Sequence, residues 1–167
     1  MRVEIEKLIK DKIIDQRNIK NQILIWRSNG NKVTFTNGVF DLLHIGHITY
    51  LAKAAELGDK LIIGLNSDSS VRRLKGRNRP INDQNSRATL LAALFFVDGV
   101  VIFEEDTPLN LISSVLPDIL VKGADYSPSD IVGSSEVLAN GGEVKTINFI
   151  EGCSSTSIIE KIKKLSL

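Results

Sequence analysis

Five short apolar runs, separated by segments of helical periodicity, constrain this 167-residue chain more than any other feature. KVTFTNG (32–38) is rich in β-branched and aromatic residues and ends in Asn-Gly. DKLIIGLNSD (59–68), Gly99–Phe103, Asp118–Val121 and Glu143–Ile147 repeat the strand-length apolar pattern. Between and after them, HIGHITYLAKAAELG (44–58), Asn85–Phe96, Pro108–Leu116, Asp130–Ala139 and Ser154–Leu165 read as helices. Strands that are apolar throughout, rather than alternating, have to be buried on both faces. The expected class is therefore α/β, a five-stranded parallel sheet with helices on both sides. Residues 3–28 carry aliphatics at helical spacing and stop at SNGN, which predicts one or two helices: an N-terminal extension (1–30) ahead of the main domain (31–167).

Composition narrows the function classes. With 21 basic and 20 acidic residues the net charge is +1, so no global field captures nucleic acid or an anionic membrane. The longest apolar stretch, LLAALFFVDGVVIF (90–103), is interrupted by Asp98 and Gly99 and falls short of the ~20 residues of a membrane span. The single Cys153 forms no internal disulfide, and the N-terminus lacks the apolar core of a secretion signal. A cytoplasmic protein with no membrane or nucleic-acid partner is the expectation.

In open parallel sheets ligands bind at the carboxyl ends of the strands. The first segment leaving such an end, TNGVFDLLHIGH, holds both histidines of the chain, His44 and His47, with Gly46 between them and Asp41 just before. A glycine turn followed by a helix start offers free amides, and histidines at i and i+3 share a helix face. An anion site, a pair of structural histidines and a zinc chelate are all open from these residues alone, although the spacing is not that of a zinc-protease helix. GxxxxGK[ST] and GxGxxG are both absent after the first strand. RRLKGRNRP (72–80) places Arg72, Arg73, Lys75, Arg77 and Arg79 on the segment after the second strand. It reads either as a solvated loop or as a flexible cationic loop that closes over a triphosphate. SSTS (154–157) caps the last helix, or receives a phosphate there.

Together, FTNGVFDLLHIGHITYL, GLNSDSSVRRLKG, RPIN, VDGVVIFEEDTP, PDILVKGADY, GGEV and EGCSSTSII resemble the nucleotidylyltransferase superfamily marked by HxGH. More narrowly they resemble the adenylyltransferase domains of ADP-heptose synthases. The resemblance implies a Rossmann-like domain that transfers AMP from ATP to a sugar 1-phosphate, with Mg2+ accompanying ATP and pyrophosphate leaving. From the histidine spacing and the lack of a cysteine cluster, no resident metal site is expected. His44, His47 and Lys75 would be the catalytic groups. Asn37, the amides of Gly38, Val39 and Phe40, and also Asp41 and Gly46, would surround the phosphates. Ser154, Ser155 and Thr156 would hold the β- and γ-phosphates; Gly123, Asp125 and Tyr126 would contact the nucleoside; Arg87 would face the phosphates or the flexible loop. Thr49 and Phe149 stand where related cytidylyltransferases carry lysine and arginine, which favours the heptose branch. The superfamily also implies a homodimer. The 167 residues contain no sugar-kinase half, so the expectation is either a stand-alone heptose 1-phosphate adenylyltransferase served by a separate kinase or a relative, cytidylyl- or adenylyltransferase, that acts on another small phosphate such as glycerol 3-phosphate.

Overall fold

In the computed structural model, which describes residues 4–124, 130–148 and 152–165, all five apolar runs are strands of one sheet. They are β1 (Val33–Gly38), β2 (Lys60–Asn66), β3 (Gly99–Phe103), β4 (Ile119–Gly123) and β5 (Glu143–Ile147), all parallel, in the order β3-β2-β1-β4-β5. The helices are α1 (Ile5–Asp11), α2 (Ile19–Ser28), α3 (Ile45–Ala55), α4 (Asp68–Lys75), α5 (Gln84–Ala92), α6 (Leu109–Val115), α7 (Ser134–Ala139) and α8 (Ser155–Leu165).

Successive strand residues feed opposite cores, as the pleat requires. Leu61, Ile63 and Leu65 of β2 pack with Leu51 and Ala54 of α3 and with Ala88 and Leu91 of α5. On the other face, Phe35 of β1, Ile62 and Leu120 meet Ile19 and Ile23 of α2, Leu111 and Ile112 of α6, and Val137 of α7. Two-sided burial accounts for the apolar interiors of β2 and β3, whereas edge strand β5, none of whose residues is buried, carries Glu143, Lys145 and Thr146.

The sequence-based expectations differ from the structure in three places. Residues 68–75 form α4 instead of a loop: Ser67 caps it by accepting from Ser70 N at 3.2 Å, and Gly76, at φ 93°, ends it. Only Val71 and Ser70 of α4 are buried, so its charged faces hide the periodicity. Helix α5 is shorter than Asn85–Phe96, beginning after Asp83, whose Oδ1 accepts from Asn85 N and Ser86 N. Helix α7 is likewise confined to Ser134–Ala139.

The N-terminal residues share the main core. Ile19 and Ile23 are buried in it, and the link between α1 and α2 runs along β3, where Ile14 N donates to Val100 O and Val100 N donates to Lys12 O. That pairing covers an edge strand that would otherwise present open backbone groups. Ile23→Ala is expected to lower unfolding free energy by about 2–5 kcal/mol in denaturant titration, the range for truncating a buried isoleucine; a loss near zero would make α2 an appendage.

Candidate active site

Strand β1 lies at the point where strand order reverses. It pairs with β2 along its whole length, from Val33↔Lys60 to Gly38↔Leu65, but with β4 only at Thr34↔Ile119 and Phe35↔Leu120. Beyond Phe35 the two strands part, and a cleft of about 360 Å³ opens at their carboxyl ends. Such a switch point is where open α/β sheets hold ligands.

The floor of the cleft is the turn after β1. Phe40 takes a left-handed conformation (φ 45°), which folds its ring back beneath Gly38; a Cβ on Gly38 would stand 2.9 Å from that ring. The same ring meets His47 edge-on at 5.1 Å. His44 is the extended N-cap residue of α3, with its carbonyl accepting from His47 N and Ile48 N. One helical turn brings the two imidazoles into a stack, centroids 3.8 Å apart and planes at 24°. A Cβ at Gly46 would be crowded from two sides, 3.0 Å from His44 Nδ1 and 3.1 Å from Cys153 Cβ. The glycine of HxGH thus lets the histidine stack and the start of α8 pack closely on this turn.

Both imidazole Nδ1 atoms are buried without a hydrogen-bond partner. Burial pushes His47 down to about 4, the neighbouring His44 and Lys75 push the same way, and the Leu42 backbone only partly opposes them. His44 is lowered by burial as well. At neutral pH the pair is therefore uncharged and offers N–H donors; an anion arriving above it would reverse the shift and draw a proton on.

Two lysines line the cleft with His47. Lys75, at the end of α4, is lowered first by desolvation and then by the Arg79 guanidinium, with Asp41 opposing. Lys122, near the end of β4, is lowered to about 8 by burial. Sequence reading passed over Lys122, because one lysine inside VKGADY looks like a turn residue until β4 places it beside the β1 turn. Tyr50 also lines the cleft; its hydroxyl shares a 2.7 Å hydrogen bond with Thr36, and burial raises it to about 12.

The remaining expected residues divide. Asn37, Gly38, Val39, Phe40, Asp41, Gly123 and Ser155 line the cleft. Ser155 Oγ donates to Leu42 O at 3.0 Å, tying the start of α8 to the histidine turn. Ser154 serves as a cap, its Oγ accepting from Ser157 N at 3.0 Å, and Thr156 is exposed. Asp125 and Tyr126 lie outside the described residues.

Arg87 requires a correction. Its side chain is 0% exposed and points inward: Nε donates to Asn82 O, Nη1 to Val39 O and Asn66 O, and Nη2 to Asp68 Oδ1. A guanidinium has five N–H donors, and these bonds occupy four of them inside the protein, so Arg87 braces the site from behind and does not face phosphates. Asp41 is likewise committed, accepting from Arg79 Nε at 2.6 Å, Ile81 N at 2.8 Å and Asn82 N at 3.1 Å. No group of three His, Cys, Asp or Glu side chains suited to a metal occurs among the described residues.

Arg87→Met is expected to cost roughly 3–5 kcal/mol in chemical denaturation, because it leaves Asp68 and three inward carbonyls unpaired. An NMR titration of the empty protein should find His47 protonating near pH 4. Its folded value lies below the ordinary 6.5, so the unfolded chain binds the extra proton between these values. Folding stability contributed by this group is therefore lost as pH falls through that window, and His47→Gln should flatten the slope.

Residues 35–161 match the family described as cytidylyltransferase-like. The bifunctional protein HldE of Cronobacter sakazakii is 54% identical over 170 residues, covering 98% of this chain and 36% of that protein. HldE of Proteus mirabilis is 52% identical, covering 97% of this chain and 35% of that one. The chain thus spans about a third of the length of the curated relatives it matches. Among solved structures, the lipopolysaccharide core biosynthesis protein from Thermoplasma volcanium is 33% identical with a TM-score of 0.60, covering 72% of this chain and 98% of that one. The pantoate-beta-alanine ligase of Francisella tularensis, 17% identical with a TM-score of 0.51 over 93% of this chain and 78% of that one, shares the fold. Of the stacked HxGH pair, His47 lines the cleft at the switch point of the sheet and His44 packs behind it without lining the cleft, and the chain belongs to the cytidylyltransferase-like family.

Proposed function

We propose that the chain is a nucleotidyltransferase that moves AMP from ATP to D-glycero-β-D-manno-heptose 1-phosphate, giving ADP-heptose and pyrophosphate. The observation that carries this reading is His47, stacked on His44 and lining one cleft with the β1 turn (Gly38, Val39, Phe40) and the amines of Lys75 and Lys122. Identity above 50% with the HldE proteins supports the heptose branch over other phosphate acceptors.

The acceptor phosphate is already an oxyanion at neutral pH. Its oxygen attacks the α-phosphorus in line, the bond from that phosphorus to the α–β bridging oxygen breaks, and pyrophosphate carries the electron pair away, so no general base is needed. The protein supplies alignment and charge neutralisation. His44 and His47 donate to oxygens around the α-phosphorus, Lys75 adds a positive charge, and the amides of Gly38, Val39 and Phe40 hold the phosphate chain. Ser155, Thr156 and the start of α8 receive the β- and γ-phosphates. Asp41 being committed, Mg2+ belongs to the substrate, entering as MgATP on the phosphate oxygens.

Pyrophosphate release from ATP plus heptose 1-phosphate tests the reaction. Brisk release with CTP and a polyol phosphate, with none from the heptose pair, would overturn the substrate assignment. His47→Ala is expected to lower kcat by about 10²–10³-fold with the fold intact, the scale of one lost transition-state donor. Near-normal turnover in a folded variant would remove His47 from the chemistry.

A further inference from the structure

Strand alternation sorts the groups that line the cleft by the side of the sheet from which they come. Ile119 and Val121 of β4 point into the core shared with α3 and α5, while Leu120 points into the core shared with α2, α6 and α7. Lys122, two residues beyond Leu120, leaves β4 on the side away from α3, and it lines the cleft. In β1, Phe35 belongs to that far side, whereas Thr36 bonds Tyr50 of α3, so Asn37 shares the far side with Lys122. The pairing of β1 with β4 ends at Phe35↔Leu120, and two residues further on Asn37 and Lys122 flank the gap between the parted strands.

The near wall is different in origin. His47 and Tyr50 reach the cleft from α3. The start of α8 stands beside them: Ser155 Oγ donates to Leu42 O at 3.0 Å, and a Cβ on Gly46 of α3 would lie 3.1 Å from Cys153 Cβ. The amine of Lys122 thus enters the cleft from the side opposite the imidazole and the α8 start. Burial lowers that amine to about 8, and contact with a dianion would reverse the shift, since an anion stabilises the charged form.

The two walls correspond to the two axial positions of the transfer. In-line displacement places nucleophile and leaving group on opposite sides of the α-phosphorus, and the nucleoside hangs from an equatorial oxygen on neither side. A triphosphate whose β- and γ-phosphates rest at the start of α8 sends its leaving group toward the α3 wall. Its attacker then arrives from the far wall, where a lysine is a point charge suited to a phosphate. Resting on the transfer and the phosphate placement proposed above, we infer that Lys122 seats the phosphate of the acceptor and not the triphosphate of ATP.

The test separates the two ligands. With a non-hydrolysable ATP analogue saturating the protein, inorganic phosphate is titrated by 31P NMR, and the analogue's own Kd is measured separately. Lys122→Gln is expected to weaken phosphate binding, and to raise the acceptor KM, by about tenfold or more, with the analogue's Kd changed by less than about twofold; tenfold is the scale of one lost hydrogen bond to a charged group. Unchanged analogue binding would show that the cleft is still folded. Lys122→Arg keeps the charge and should fall between wild type and Lys122→Gln, whereas a side chain that only fills space would tolerate the larger arginine least. Weakened analogue binding with phosphate unaffected, equal weakening of both, no change in either, or no saturable phosphate site in the wild type would overturn the assignment. Should the wild type release no pyrophosphate from ATP and heptose 1-phosphate, the sugar identity fails, while the phosphate titration still decides whether Lys122 forms a phosphate seat apart from the triphosphate.

Discussion

The candidate site depends on one buried cation. Arg87 projects from α5 into the space behind the β1 turn and holds, at once, the carbonyl of Val39 in that turn, the carbonyl of Asn66 at the end of β2, the carboxylate of Asp68 at the start of α4 and the carbonyl of Asn82 before α5. Taking a guanidinium out of water is costly, and the cost is tolerable only because four acceptors replace the lost hydration. The segments that build the near wall of the cleft are therefore referenced to one another through a single planar group.

Asp41 is the opposite-charged counterpart of this brace. It collects two backbone amides and one guanidinium from residues 79–82, and Asn82 joins the two systems: its amide groups donate to Asp41, and its carbonyl accepts from Arg87. What remains for a ligand is the opposite of these satisfied groups. The histidine Nδ1 atoms and Arg79 Nη2 are buried and unpartnered, and burial holds the cleft amine of Lys75 below its ordinary basicity. A framework with saturated hydrogen bonds supporting unsaturated donors is an arrangement prepared for an anion, with the reorganisation already made during folding.

Periodicity made most of the fold legible because burial on both sheet faces leaves a plain signature: LIIGL in β2 and GVVIF in β3 have little alternative use. It failed at α4, where two buried positions among charged residues leave no apolar stripe, and it could not reveal that α2 shares the main core, because Ile19 and Ile23 look the same on a free amphipathic helix. Among site residues, HxGH and the serine-rich start of α8 were readable as local patterns. Arg87 was assigned to the wrong environment and Lys122 was overlooked, since nothing local to NSRATL or VKGADY says which way either side chain points.

The sequence by itself determined the class of sheet, the strand ends from which chemistry issues, and a helix start carrying two imidazoles on one face. These follow from periods of two and 3.6 residues and from the freedom of glycine, all of which act over a few neighbours. Only the tertiary structure decided which cations point inward as braces and which line the cleft. Charge has no periodicity, and the direction of an arginine is set by acceptors arriving from distant segments: for Arg87, from Val39, Asn66 and Asp68, brought together only when β1, β2 and α5 pack.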